Sequence, residues 1–318
     1  MIWLTWRQFR AQSVLAVAAL AAAAGYLVYL GLTVRHSYDA GSDPDTFRRE
    51  FFGRLLLSGA LLVLVPVIVG IFWGAPLIAR ELETGTYRLV WNQSITRTRW
   101  LAVKLTVVTL AGVLLTGALS LLLTWAASPY DKVVGGRFDA LIFPARNLAP
   151  VGYAIFALVL GTTVGLFARR TVPAMAITLA ALIAFQIVMP AAVRPHLQRP
   201  ITQTVAFDAG TPAHGGRINI KDKDVRIEGY ALPGAWVLTG SAPLLTAAGQ
   251  PIGGDQLRDC GSPDSARVET CVAAQNLHFI AKYQPAGRYW TFQWLELAIF
   301  LLMAALLAVI AFRRIARA

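Results

Sequence analysis

The segment that decides the fold is residues 80–104, RELETGTYRLVWNQSITRTRWLAVK, a charged stretch between two long apolar ones. Residues 55–79 before it and residues 105–130 after it contain no charged side chain. A helix crosses the hydrocarbon core of a bilayer, about 30 Å thick, with roughly 20 apolar residues, so each flanking run is long enough. The sequence therefore predicts two membrane spans joined by a polar connection at the membrane surface.

Four more apolar runs complete the pattern. They are residues 13–34, 147–168, 171–193 and 289–312, of which the last alone contains a charge, Glu296. The chain of 318 residues is 56% hydrophobic and 14% charged. Six such runs exclude a soluble protein, and their length favours helices over the short alternating segments of a barrel. We therefore predict an all-α polytopic membrane protein with six transmembrane helices.

The distribution of Lys and Arg over the short connections predicts the orientation. The N-terminus, residues 80–104, the pair Arg169 and Arg170, and the C-terminus contain twelve basic residues, against seven in the two short connections on the other side. Basic residues concentrate on the cytoplasmic side of a membrane. We therefore expect a multi-pass protein of the plasma membrane with both termini in the cytoplasm.

The first twelve residues, MIWLTWRQFRAQ, place three aromatic side chains beside Arg7 and Arg10. This pattern is typical of a short helix in the headgroup region, or of an aromatic belt at the end of the first span. A cleavable signal peptide is a further interpretation. Because the apolar run continues to Val34, longer than a typical signal core, we expect an uncleaved first span.

Along its length the chain divides into three predicted parts. Residues 1–193 would form the first five helices with the N-terminal interfacial helix, residues 194–288 an extracytoplasmic domain, and residues 289–318 the sixth helix with a cytoplasmic tail. Polar and apolar residues alternate at 217–220 and 225–228, which predicts a β-hairpin. We expect a small α+β or β-containing insertion between helices 5 and 6.

The two cysteines of the chain, Cys260 and Cys271, both lie in that insertion. An oxidising compartment outside the cytoplasm would allow them to form a disulfide. Two unrelated thiols remain the alternative, because spacing alone does not fix the geometry. His196, His214 and His278 lack the spacing of metal ligands, so we predict no metal site.

Catalytic motifs are missing from the sequence. There is no GxxxxGK[ST] phosphate-binding loop, no HExxH, no GxSxG and no pair of carboxylates with suitable spacing. Glu296 lies near the end of the last run beside Trp290 and Trp294, where we expect it to snorkel or cap rather than to relay protons. We therefore predict no catalytic residue and no cofactor in this chain, and any ATPase that drives it must be another polypeptide.

Two glycine pairs lie four residues apart on helical faces. Gly70 and Gly74 are in the second apolar run, and Gly161 and Gly165 are in the fourth. Small residues at this spacing let two helix backbones approach closely. We predict that they pack helices, either within one chain or between two copies.

The charged segment itself contains the most specific pattern. Glu81-x-Glu83-x-Gly85-Thr86 is followed by a short amphipathic stretch, by the sequence SITR at residues 94–97, with Thr96 suited to cap the next helix, and by Lys104. This pattern resembles the cytoplasmic loop of type-2 ATP-binding-cassette (ABC) exporter permeases. Residues 283–296 are similar to an actinobacterial branch with an enlarged last external loop. Gln93 and Ser94 depart from the proline that many members have there.

The resemblance implies a non-catalytic permease subunit with six spans, whose loop contacts a separate ATPase. Its partners would be cytoplasmic ABC ATPase subunits that bind ATP and Mg, a second permease copy or paralogue, and membrane lipids, with no nucleic acid. The substrate would be a lipid, a peptide or a hydrophobic drug-like molecule. The residues to which the resemblance assigns coupling to the ATPase are Glu81, Glu83, Gly85, Thr86, Tyr87, Leu89, Trp91 and Arg97.

A membrane-anchored sensor or assembly protein is the alternative interpretation. Its external domain would bind a ligand or a protein, and its spans would be passive. The size of the predicted external domain favours it. A solvated charged face at a helix turn would then explain residues 80–104.

Overall fold

The structure is a computed structural model that describes residues 2–87, 96–139, 141–208, 216–221, 224–260 and 265–317. In these residues the chain forms six helices that are long and apolar enough to cross a membrane. A small unit that contains β-sheet is inserted between the fifth and the sixth. The predicted fold class, an all-α polytopic membrane protein with such an insertion, is therefore confirmed.

The helices are numbered in chain order. They are α1 Ile2–Asp39, α2 Pro44–Val69, α3 Pro76–Thr84, α4 Arg97–Val134, α5 Ala149–Ala168, α6 Thr171–Val188, α7 Ser265–Ala273 and α8 Tyr289–Arg317. A π-helical turn, Gly70–Gly74, joins α2 to α3, so these two helices form one span. A second π-helical turn, Met189–Val193, extends α6.

Several helices are longer than the apolar runs that predicted them. α1 is continuous from Ile2 to Asp39, so the residues expected to form a separate interfacial helix are its first turns. α4 has 38 residues, a length of about 57 Å, which exceeds the thickness of the hydrocarbon core. Its polar ends therefore extend beyond the apolar core.

The four glycines singled out in the sequence lie at one helix crossing within the chain. A Cβ atom on Gly161 would lie 2.5 Å from the carbonyl oxygen of Gly70 and 2.7 Å from the nitrogen of Ala75. A Cβ atom on Gly74 would lie 2.9 Å from a backbone oxygen of α5, and one on Gly165 would lie 2.5 Å from the oxygen of Ala75. Only glycine allows this approach, and α5 is the most buried of the six spans.

The chain divides into two compact units, and the second contains Val134–Asp139 and Pro195–Tyr289. Its described strands are β1 Ile201–Ala206, β2 Arg217–Lys221, β3 Asp224–Glu228, β4 Trp236–Val237, β5 Ser241–Pro243 and β6 His278–Gln284. They form two antiparallel sheets with the strand orders β1-β6-β4 and β2-β3-β5. The hairpin predicted from the alternating residues is β2 and β3.

The insertion has a hydrophobic core of its own. Val225 of β3, Phe279 of β6 and Val272 of α7 are almost fully buried in one apolar cluster. Cys260 and Cys271 form a disulfide with a Cα separation of 5.5 Å, which confirms the predicted pair. The disulfide joins the 3-10 turn Gly254–Cys260 to α7 at the edge of this core.

Candidate functional site

The candidate site is the connection between α3 and α4, the charged segment from which the fold was predicted. α3 ends at Thr84, and Gly85, the residue that follows, has a φ of +74°, the left-handed conformation that favours glycine. At the other end the N–H of Arg99 donates to Oγ1 of Thr96 at 3.3 Å, so Thr96 caps α4 as predicted. Gly85 therefore terminates α3 before the loop, and Thr96 caps the start of α4 after it.

Glu81 and Lys104 form an ion pair that joins α3 to α4. Their side chains are 19% and 13% exposed, so the pair is shielded from water. The Lys104 ammonium also lies 4.8 Å from the ring centroid of Trp100, which is buried against Leu77 of α3. The ion pair and the apolar contact together hold the two stems of the loop side by side.

Glu83 contacts a different helix. Its Oε2 accepts a hydrogen bond of 2.9 Å from the backbone N–H of Thr171, the first residue of α6. The first N–H groups of a helix have no partner within it, and a carboxylate there also interacts favourably with the helix dipole. The turn that Glu83 reaches consists of Arg169 and Arg170, which join α5 to α6. The loop is thereby bonded to the start of the fifth span.

Three of the other residues predicted for coupling, Thr86, Tyr87 and Arg97, lie at the two ends of the loop. Thr86 is exposed, and its hydroxyl lies 3.1 Å from that of Thr84. Tyr87 and Arg97 are half-buried and flank the loop. Leu89 and Trp91 lie outside the described residues. Glu81 and Glu83 therefore have partners on other spans, whereas Thr86 is exposed and bonds only locally to Thr84 among the contacts described.

A buried ion pair at the opposite end of the bundle was not predicted from the sequence. Arg194, just beyond α6, donates through Nε to Oε1 of Glu296 of α8 at 2.5 Å, and both side chains are at most 1% exposed. The guanidinium lies 4.2 Å from the ring centroid of Phe143. The expectation that Glu296 snorkels or caps is wrong, because it is fully buried against an arginine. The sequence offered one signal for this pair. Arg194 directly follows the run 171–193, and the opposite charge of Glu296 lies near the start of the next run, 289–312.

A second buried ion pair and a capping amide hold the connection between α4 and α5. Arg146 makes two hydrogen bonds to Asp131, at 2.9 and 2.7 Å, and neither residue is more than 8% exposed. Gln293 of α8 accepts hydrogen bonds from the N–H groups of Leu148 and Ala149 at the start of α5. Between Asp131 and Arg146 the connection forms a 3-10 turn, Phe143–Ala145, which is buried in the bundle.

A comparison with protein families matches residues 17–194 to a model described as ABC-2 membrane transporter related. The match covers more than half of the chain and includes the first five spans and the loop between α3 and α4. The chain belongs to the ABC-2 membrane transporter related family. No curated protein and no solved structure matches the chain.

Membership of the ABC-2 family makes this chain a permease subunit of an ABC transporter and a multi-pass membrane protein. The family also implies association with a cytoplasmic ABC ATPase. The resemblance drawn from the Glu-x-Glu-x-Gly-Thr motif is thus confirmed at the level of the family. The insertion after α6 lies outside the matched residues.

Proposed function

We propose that this ABC-2 permease subunit belongs to an exporter of the plasma membrane and that the loop between α3 and α4 receives the force of a separate ATPase. The observation that carries the proposal is that both carboxylates of the motif are bonded to other spans. Glu81 pairs with Lys104 of α4, and Glu83 bonds to Thr171 of α6. A displacement of the loop therefore acts on three helices at once.

The two glutamates orient the loop, and other residues contact the ATPase. Thr86, which is exposed, and Tyr87, which is half-buried, follow Gly85 directly, so they supply the first part of the docking surface in this proposal. Leu89, Trp91 and Arg97 complete it in this proposal. Closure of the ATPases on ATP and Mg would push this surface and shift the spans between inward-facing and outward-facing arrangements, a two-state element biased by nucleotide.

Docking of a cytoplasmic ATPase at this loop sets the proposed orientation. The loop and both termini then lie in the cytoplasm, and the insertion lies outside. The disulfide between Cys260 and Cys271 supports this orientation, because disulfides persist in oxidising compartments and are rare in the cytosol. The excess of basic residues in the loop segment supports it as well.

The complete transporter in this proposal has two permease subunits, identical or paralogous, and two ATPases. A lipid, a peptide or a hydrophobic drug-like molecule is the proposed cargo. The spans expose large apolar side chains such as Leu114, Leu302 and Leu306, which suits contact with lipid and with an apolar substrate. Family membership favours this function over a passive membrane-anchored sensor.

Purification of the full-length chain from its native membrane tests the proposal. We expect an ABC ATPase to co-purify in a fixed ratio, and we expect its hydrolysis rate to change when the permease is reconstituted with it in lipid. A matched purification of a Gly85→Val variant should retain insertion and weaken this association. A chain that purifies without any ATPase from membranes of cells that express the whole transporter would contradict the proposal.

A further inference from the structure

Among the residues that the structure describes, the outer edge of strand β1 has none of the charges, prolines or short length that protect the other sheet edges of the insertion. A free edge exposes backbone N–H and C=O groups that readily pair with another strand, so proteins blunt such edges with charges, prolines or very short strands. In the described part of the two sheets, β4 has two residues, β5 has three and ends at Pro243, and β2 contains Arg217 and Lys221. β1 has six residues, ITQTVA, without a charge or a proline.

The hydrogen bonds of the neighbouring residue show which groups of β1 face outward. The N–H of Phe207 donates to the carbonyl oxygen of Leu277 at 2.8 Å, in register with the pairing of β1 and β6. Alternate residues of an antiparallel strand bond to the same neighbour. The odd-numbered residues of β1 therefore bond to β6, and the backbone groups of Thr202, Thr204 and Ala206 point to the free edge. All three residues are exposed.

We propose that this edge of β1 is an interface between two copies of the chain, which pair their β1 strands antiparallel across a two-fold axis. The inference rests on the proposed function, which includes a second permease copy, and it identifies the surface through which the two copies make contact. A second copy fits because the edge is self-complementary. When two β1 strands pair antiparallel across a two-fold axis, the outward-facing N–H and C=O groups of one copy bond to those of the other. The side chains of β1 are uncharged, so they do not repel each other.

Two-fold symmetry restricts the pairing to two registers near the centre of the strand. Opposed residues of an antiparallel pair lie on the same face of the sheet, so even-numbered residues meet even-numbered ones. In one register Gln203 faces Gln203 of the second copy, and Thr202 faces Thr204. In the other register Thr204 faces itself, and Thr202 faces Ala206. Either register converts the two sheets into one continuous sheet across the dimer.

Single cysteines at these positions test the interface in the full-length chain within its native membrane. Cys260 and Cys271 are already paired, so the introduced cysteine is the free thiol in each variant. Opposed Cα atoms of an antiparallel pair are about 4.5–5.5 Å apart, within the range of a disulfide. We expect either Gln203→Cys or Thr204→Cys to give a disulfide-linked dimer when oxidised with copper phenanthroline.

Two further variants control the experiment. Ile280→Cys places an exposed cysteine in the central strand β6, where the two copies would be about 14 Å apart, so no dimer should form. Thr202→Pro removes an N–H that faces the free edge and keeps the hydrogen bonds between β1 and β6. Added to whichever cysteine variant cross-links, it should abolish the dimer band while the Cys260–Cys271 disulfide is retained.

The mass and the ATPase content of the solubilised complex are measured together with the cross-linking. These measurements distinguish failure of the interface from failure of the proposed function. If the complex contains the ATPase but cross-links neither through Gln203→Cys nor through Thr204→Cys, the proposed interface is wrong and the proposed function stands. A cross-linked dimer that never contains an ATPase supports the interface and overturns the proposed function. A cross-link to a different protein at these positions overturns the assignment of the edge to a second copy.

Discussion

Glu83 accepts a hydrogen bond through Oε2 from the backbone N–H of Thr171, a residue 88 positions further along the chain. The bond joins the end of α3 to the first turn of α6 and lies beside the loop that follows the Glu-x-Glu-x-Gly-Thr sequence. Because Glu81 pairs with Lys104 on the other side, α3 is bonded to two further spans at the same level. The motif is thus a junction of three helices.

Replacement of Glu83 by Gln should uncouple hydrolysis from transport. The amide keeps a hydrogen-bond acceptor for Thr171 but loses the charge that interacts with the dipole of α6. We expect transport per ATP hydrolysed to fall by about fivefold or more, a range typical of coupling between sites. Both rates can be measured in proteoliposomes that contain the complete transporter.

The matched control for this variant is Glu50→Gln. Glu50 is an exposed glutamate of α2 that lies 3.8 Å from Arg54, at the opposite end of the bundle from the loop. Its replacement should leave transport per ATP unchanged. Equal effects of the two substitutions would show that Glu83 has no special role in coupling.

Gly85 should tolerate Asn better than Ala or Val. A Cβ atom at this position would meet no atom within 4 Å, so the penalty comes from its φ of +74° alone. The left-handed conformation costs roughly 1–2 kcal/mol for an ordinary residue and less for Asn, whose side chain bonds locally. We expect association with the ATPase to decrease in the order Gly, Asn, Ala, Val.

Gly25→Ala is the control for the Gly85 series. Gly25 also has open space around its Cβ position but lies inside α1 with ordinary helical geometry. Alanine is favoured over glycine in a helix, so this variant should be at least as stable as the parent. A Gly85→Ala variant that binds the ATPase as well as Gly25→Ala does would contradict the importance of the turn.

Gly161→Ala should destabilise the bundle. The added methyl group would lie 2.5 Å from the carbonyl oxygen of Gly70 and 2.7 Å from the nitrogen of Ala75, and neither backbone atom can move without shifting a span. Overpacking of this kind costs about 1–3 kcal/mol. The midpoint of thermal unfolding in detergent should fall, whereas Gly117→Ala, whose nearest contact is 3.7 Å, should not lower it.

Replacing one residue of the buried pair Arg194 and Glu296 should lower the free energy of unfolding more than replacing both. A single substitution, Arg194→Met or Glu296→Leu, leaves one charge buried without its partner, and such changes cost about 3–5 kcal/mol. The double variant removes both charges and should recover much of that loss. Unfolding of the four proteins forms a double-mutant cycle, and additive effects would contradict the coupling of the two side chains.

Features set by local pattern could be predicted from the sequence. The six spans follow from uncharged runs, the cap of α4 from Thr96, and the hairpin of β2 and β3 from alternating residues. The bond from Glu83 to Thr171 and the pairs Arg194–Glu296 and Arg146–Asp131 could not, because each joins residues that only tertiary packing brings together. A count of charged residues along the chain gives no information on which of them are buried.

Photo-cross-linking from the loop tests the central claim most directly. A benzophenone amino acid placed at Tyr87 in the full-length chain, and irradiated in native membranes, should form an adduct with an ABC ATPase. The same amino acid at Tyr38, which is 39% exposed at the opposite end of α1 from the N-terminus, should form none. An ATPase adduct from Tyr38 with none from Tyr87 would contradict the assignment of the loop as the site that receives the ATPase.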